Sequence, residues 1–174
     1  MVIILMGVSG AGKTVVGQAL AARLGWAFED ADNWHPAANV AKMRSGIPLN
    51  DVDREPWLEA LNRGIREWIA SGRNTILACS ALKARYREAL RSGVQDASSV
   101  RFVFLKASYD QIDARLRERR GHYMPESLLE SQFDALEEPS ASEALIVDAS
   151  QTIPTVVNEI IARLHLTAPS TGPC

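Results

Sequence analysis

The chain opens on an unbroken apolar run, Val2-Ile3-Ile4-Leu5-Met6, the pattern of a strand buried on both faces. Behind it Val15, Val16, Leu20 and Leu24 recur at helical spacing and Gly25 offers a stop, which predicts a helix from Lys13 to Leu24. Trp26 to Asp30 reads as a short second strand ending in acidic residues. His35-Pro36 then opens a helical piece to about Ser45, closed by Gly46. Asp53 is the expected cap of a longer helix to about Ser71, with Pro56 in its first turn and Trp57, Leu61, Ile65, Trp68 and Ile69 on one face. Asn74 to Cys79 is a third strand, with Ser80-Ala81-Leu82-Lys83 opening the next helix, and Val100 to Leu105 is a fourth. Ser108 and Gln111 have capping-box spacing at the head of a helix carrying Ile112 and Leu116. Leu145 to Asp148 is a fifth strand, and Val156, Ile160, Ile161 and Leu164 mark a last helix.

Strands alternating with helices predict an α/β fold: a five-stranded parallel sheet covered on both faces in three layers, α/β/α. The two helical pieces between strands two and three form an insertion at about residues 33–71. At 174 residues, 47% of them hydrophobic, the chain suits one domain over residues 1–166, followed by an aperiodic tail at 167–174 that is expected to fray. A net charge of −2 provides no broad positive field, which argues against a nucleic-acid surface. Cys79 and Cys174 are the only cysteines, so no disulfide framework is expected; Cys79 suits a small buried hydrophobe, and a reducing cytoplasm fits. No apolar run reaches membrane-spanning length, and strand one begins at Val2 with no room for a signal peptide before it.

Gly7-Val8-Ser9-Gly10-Ala11-Gly12-Lys13-Thr14 satisfies G-x-x-x-x-G-K-[ST], with a strand before it and a helix after it as the motif requires. Its glycines let backbone N–H groups turn inward around phosphate oxygens, and the helix adds its positive end. Lys13 is then expected at the outer phosphates of ATP, with the Thr14 hydroxyl on a bridging Mg²⁺.

Ligands of open α/β sheets lie outside the carboxyl ends of the strands, which singles out Asp30-Ala31-Asp32 after strand two. Alternate residues of an extended segment project the same way, so both carboxylates can face the phosphate loop, one on a metal-bound water and the other on the proton of an attacking hydroxyl. Two solvated turn acids would have the same spacing. The insertion is rich in polar groups, yet His35 before a proline also suits a cap, Arg54 also suits a partner for Asp51 or Asp53, and Trp34, Trp57 and Trp68 suit packing. Arg115, Arg117, Arg119 and Arg120 form the one dense basic stretch; with Gly121 as a hinge it reads as a lid at about 117–128 folding over the nucleotide, Arg119 and Arg120 bringing charge to the transferring phosphoryl group and Arg115 stacking on adenine.

Over nearly its whole length the chain resembles the gluconate kinase family, relatives of shikimate kinases within the nucleoside-monophosphate-kinase-like P-loop proteins. The residues carrying the resemblance are Gly7 to Thr14, Asp30-Ala31-Asp32-Asn33-Trp34-His35-Pro36, Asn39 with Lys42-Met43, Gly46 to Trp57, Cys79 to Lys83, Arg119 to His122, and Ser131-Gln132-Phe133 with Leu136-Glu137-Glu138-Pro139. The resemblance implies strand order 2-3-1-4-5 and transfer of the ATP γ-phosphoryl group to the 6-hydroxyl of D-gluconate. It implies Asp32 at the acceptor hydroxyl, Asp30 on the metal-water side with Thr14, and Arg54 at the gluconate carboxylate. His35, Lys83 and Gln132 are implied at sugar hydroxyls. It admits a homodimer, whose surface no stripe of the sequence identifies. Strand three ends in Cys79-Ser80 without a Walker-B aspartate, which shifts metal-side work toward Thr14 and Asp30.

Overall fold

A computed structural model describes residues 1–118 and 126–167. Strands β1 (Val2–Met6), β2 (Ala27–Asp30), β3 (Thr75–Ala78), β4 (Val100–Lys106) and β5 (Ala144–Asp148) form one sheet in the order β2-β3-β1-β4-β5, every neighbouring pair parallel. The expected order is therefore observed. β1 lies at the centre with all five residues fully buried, because a strand covered by helices on both faces has no solvent side. Its alternating side chains divide between two cores. Ile3 and Leu5 pack among Val16, Leu20, Val157 and Ile160 of helices α1 (Lys13–Leu24) and α7 (Ile153–Arg163). Val2, Ile4 and Met6 pack among Trp57, Leu61, Ile65 and Leu90 of α3 (Asp51–Ala70) and α4 (Ala84–Arg91). Helix α2 (Ala37–Arg44) precedes α3 in the insertion; α5 (Tyr109–Glu118) and α6 (Glu126–Asp134) lay Ile112 and Leu129 on the first core. Among the described residues no helix is long and apolar enough to cross a membrane.

Several boundaries differ from the sequence expectation, each for a local reason. The cap of α3 is Asn50, with Asp53 as its third residue: Asn50 Oδ1 accepts from the Asp53 N–H at 2.8 Å, and Asp53 Oδ2 accepts from the Asn50 N–H at 2.9 Å. This reciprocal box starts the helix earlier than expected and moves Pro56 beyond its first turn. Helix α4 starts at Ala84, not Ser80, because Ala81 sits at φ 45°, outside the helical region. A 3₁₀ turn over Ala31–Trp34 directly follows β2, with the Asp30 side chain accepting from the Asp32 N–H at 3.1 Å. Asp30 and Asp32 thus do not lie on one extended segment, and the strand-alternation argument for them is replaced by this cap. Helix α6 was not expected; Leu129 and Phe133 carry its apolar spacing. Ser108 and Gln111 form the expected box at α5.

Candidate functional site

Because all strands run in parallel, the residues leaving β1, β2 and β3 meet at one edge of the sheet. The loop after β1 makes its tight turn with Gly7, Gly10 and Gly12 at φ 139°, 83° and 94°. At Gly7 there is also no room for a side chain, since a Cβ would lie 2.9 Å from the Leu105 carbonyl oxygen. Gly12 caps α1 without any side-chain acceptor, so the first N–H groups of the helix face the loop's hollow without a side-chain cap. Lys13 curls back over the loop, its Nζ donating to the carbonyls of Gly7 at 2.9 Å and Val8 at 3.0 Å. Burial pushes its ammonium below the ordinary lysine range, opposed by the carboxylates of Asp32 and Asp30. The backbone N–H of Gly7 is held by the Ser80 carbonyl at 3.2 Å, tying the loop to the end of β3.

Asp30 and Asp32 both bear on this loop. The Thr14 hydroxyl donates to Asp30 Oδ2 at 3.2 Å, placing a hydroxyl and a carboxylate together beside the helix start. Asp32 is exposed, and tryptophans hold it in place from behind. Trp57 Nε1 donates to the Ala31 carbonyl at 2.8 Å, and Trp34 packs edge-on against Trp68 at 5.6 Å. Trp34 also presses on Gly64, where a Cβ would meet its ring at 2.9 Å. These contacts fix the 3₁₀ turn against α3, so the packing role expected of the tryptophans is also what aims Asp32.

His35 stacks on Trp57 at 4.5 Å and 11°, with Nδ1 3.4 Å from Asn39 Nδ2. Burial lowers its pKa, opposed by Asp32 and reinforced by Arg54, so the ring is neutral at pH 7. Asn39, itself buried, donates to the Asp53 carbonyl at 2.7 Å. Lys42 pairs with Asp53 at 2.8 Å and holds that carboxyl below its usual range. Asp51 gathers Lys83 at 3.1 Å together with Arg85 and the Tyr86 hydroxyl. With both acids occupied, Arg54 is not their partner: Nη1 donates to the Leu49 carbonyl at 2.5 Å, its guanidinium lies 5.8 Å from the Tyr86 ring, and among the described residues no carboxylate is within ion-pair distance. Lys83 and Arg85 flank the same ring at 5.7 and 5.2 Å. Three cations around one phenol, with a single carboxylate among them, leave a positive cluster between the start of α3 and the start of α4.

Gln132, implied at a sugar hydroxyl, reaches the phosphate loop through its side-chain oxygen. Its Oε1 accepts from the Ser9 N–H at 2.7 Å, so α6 grips the phosphate loop and only the amide N–H groups remain for another partner. Arg115 donates to the Ala149 carbonyl at the edge of a cavity of about 260 Å³ lined by Gly10, Gly12, Val15, Thr152 and Val156, directly behind the loop. Cys79 is buried, and burial pushes its thiol up to about 12, which leaves it inert as expected. Arg119, Arg120 and most of the lid lie outside the described residues. Tyr86, the pairing of Asp51 with Lys83 and Arg85, and the loop contact of Gln132 were missed by sequence reasoning; the available signal was the spacing of Lys83 and Tyr86 around a helix start.

The chain is similar to known proteins over most of its length. Residues 2–139 match the AAA domain family. The thermosensitive gluconokinase of Escherichia coli strain K12 is 49% identical over 144 residues, 83% of this chain and 75% of that one. The gluconokinase of Gluconobacter oxydans strain 621H is 45% identical over 161 residues, 92% of this chain and 89% of that one. Among solved structures, a gluconokinase from Sinorhizobium meliloti 1021 superposes with a TM-score of 0.83 at 41% identity, covering 94% of this chain and 90% of that one. A phosphate loop, a carboxylate turn and a cationic cluster around Tyr86 thus sit in a sequence matched over most of its length by these enzymes, and the chain belongs to the gluconokinase family.

Proposed function

We propose that this chain transfers the γ-phosphoryl group of ATP to the 6-hydroxyl of D-gluconate, giving 6-phospho-D-gluconate and ADP. The observation that carries the reading is the pairing of an exposed acid, Asp32, beside the phosphate loop with Arg54 beyond it, a guanidinium with no carboxylate partner among the described residues. A sugar acid has the matching ends: a hydroxyl that must lose a proton and a carboxylate that needs a cation.

In this reading the loop amides and Lys13 bind the phosphates, and Asp32 orients the acceptor hydroxyl and takes its proton. Arg54 holds the carboxylate in a planar fork, and Lys83, at the same Tyr86 ring, assists. Neutral His35 exchanges hydrogen bonds with the sugar hydroxyls, as do the remaining N–H groups of Gln132. Arg115 lies against the nucleoside, while Arg119 and Arg120 close over the reacting phosphoryl group. Thr14 and Asp30 suit Mg²⁺: they are hard oxygen donors 3.2 Å apart, and Mg²⁺ keeps waters and phosphate oxygens for its remaining positions. Bound there, Mg²⁺ would neutralise phosphate charge. We assign the enzyme to the cytoplasm, acting on small molecules.

ADP release in the presence of Mg²⁺ should rise strongly with D-gluconate and little with shikimate, AMP or glucose. Glucose leaves Arg54 unpaired, a penalty that the carboxylate removes. Comparable turnover with shikimate or AMP would overturn the acceptor assignment.

Arg119→Ala or Arg120→Ala should lower kcat by about a hundredfold, with smaller changes in the KM for gluconate, if either guanidinium meets the transferring group. Near-normal turnover in both variants would reduce the stretch to a solvated helix end.

A further inference from the structure

The motif Leu136-Glu137-Glu138-Pro139 has no part in the site described so far, although it carries part of the family resemblance. In the structure Glu137 follows the end of α6 and meets the turn between β3 and α4 twice. Its backbone N–H donates to the Leu82 carbonyl at 2.9 Å, and its Oε2 accepts from the Ala84 N–H at 2.7 Å. These two bonds flank Lys83.

Lys83 occupies the cap position of α4, but its side chain caps nothing and reaches instead to Asp51. A lysine cannot accept a hydrogen bond, so the first N–H of the helix needs an acceptor from elsewhere, and a carboxylate there also suits the positive end of the helix. Glu137 supplies it. The turn is otherwise poorly self-sufficient, with Ala81 at φ 45°. Beneath it Arg87, only 1% exposed, donates Nη1 to the carbonyls of Ala81, Leu82 and Glu137 at 3.2, 3.1 and 3.0 Å, and is itself paired with Glu143 at 2.7 Å. Five residues before Glu137, Gln132 grips Ser9. One short segment is thereby fastened to the phosphate loop at its start and to the Lys83 turn at its end.

We propose that Glu137 is a positioning residue for the acceptor site, capping α4 through the Ala84 N–H and so fixing the direction in which Lys83 is presented to the acceptor. The proposal rests on the reading of Lys83 as an acceptor ligand. Glu137 is exposed, so its replacement leaves the core intact.

The test combines hydrogen exchange with steady-state kinetics. In Glu137→Ala the Ala84 amide should exchange about tenfold faster, a readout that needs no acceptor. The KM for gluconate should rise about tenfold while kcat and the KM for ATP stay within about twofold. Glu137→Gln keeps an amide oxygen for the Ala84 N–H and should restore the KM to within about threefold of the parent. Combining Glu137→Ala with Lys83→Ala should raise the KM no further than Lys83→Ala alone, because the two act on one contact. Unchanged Ala84 exchange, an unchanged gluconate KM in Glu137→Ala, a Gln variant as impaired as the Ala variant, or additive losses in the double variant would each overturn the proposal. A parent enzyme that does not phosphorylate gluconate would overturn the acceptor reading instead, with Ala84 exchange still deciding whether Glu137 caps the helix.

Discussion

Replacing Lys13 by Met is expected to lower kcat by about a thousandfold and to weaken ATP binding, while gluconate binding in the absence of nucleotide stays near the parent value. Methionine keeps most of the stem that lies over the loop and removes the ammonium, so packing and charge are separated. In the structure that ammonium is spent on the carbonyls of Gly7 and Val8. Both are loop acceptors, so the cation waits on the loop that cradles the phosphates, oriented before any ligand arrives. Such preorganisation is what makes a single cation worth several kilocalories in a dry site. The same position has a consequence in pH. Burial lowers the Lys13 pKa in the free enzyme, with Asp32 and Asp30 opposing that shift. The alkaline limb of kcat/KM for ATP should therefore fall below the ordinary lysine range, since kcat/KM reports free-enzyme ionisations. Calorimetry of ATP binding alongside the rate profile checks both effects. A Met variant within tenfold of the parent kcat would make Lys13 a brace for the loop and nothing more.

How far the sequence carried the fold depended on the range of the interactions involved. β1, the phosphate loop and α1 were legible because each is specified by neighbours: an apolar run, two glycines with Lys13 and Thr14 in a fixed motif, and a helical repeat closed by Gly25. The head of α5 was legible for the same reason, since Ser108 and Gln111 are three residues apart. The turn after β3 was not. Ala81 is held at φ 45° where the Ser80 carbonyl reaches across to Gly7 and the Leu82 carbonyl accepts from the Glu137 N–H, and no local pattern encodes bonds between distant parts of the chain. Gln132 illustrates the limit most sharply. Its side-chain oxygen accepts from Ser9, 123 residues away in sequence, and no local pattern shows that contact. The cationic cluster is an intermediate case: Arg54 and Lys83 were singled out, but Tyr86, the ring that brings them together, was not.

Asp32→Asn should lower kcat by about a hundred- to ten-thousandfold and leave ATP affinity little changed. Asparagine has nearly the same size and keeps one acceptor oxygen, so it removes the negative charge without disturbing the turn. That turn does not depend on the Asp32 side chain: it is capped by Asp30, anchored through Trp57 to the Ala31 carbonyl, and wedged by Trp34 into the space at Gly64. The carboxylate is consequently exposed and carried by a rigid support, the condition for a group that must meet a hydroxyl at a defined point. Complete inactivity is not expected, because phosphoryl transfer depends mostly on positioning and on charge stabilisation, which the loop and Lys13 still supply. Asp30→Asn should behave differently. Asp30 accepts from both the Thr14 hydroxyl and the Asp32 N–H, so its loss should weaken the dependence on Mg²⁺ and loosen the turn as well. The contrast between the two acids is therefore the measurement: Mg²⁺ titrations of turnover for each variant, with ATP binding followed by calorimetry. An Asp32→Asn enzyme that binds ATP normally and still phosphorylates gluconate at the parent rate would show that the acid pair has no part in proton transfer, and that the exposed carboxylate is a solvated turn residue.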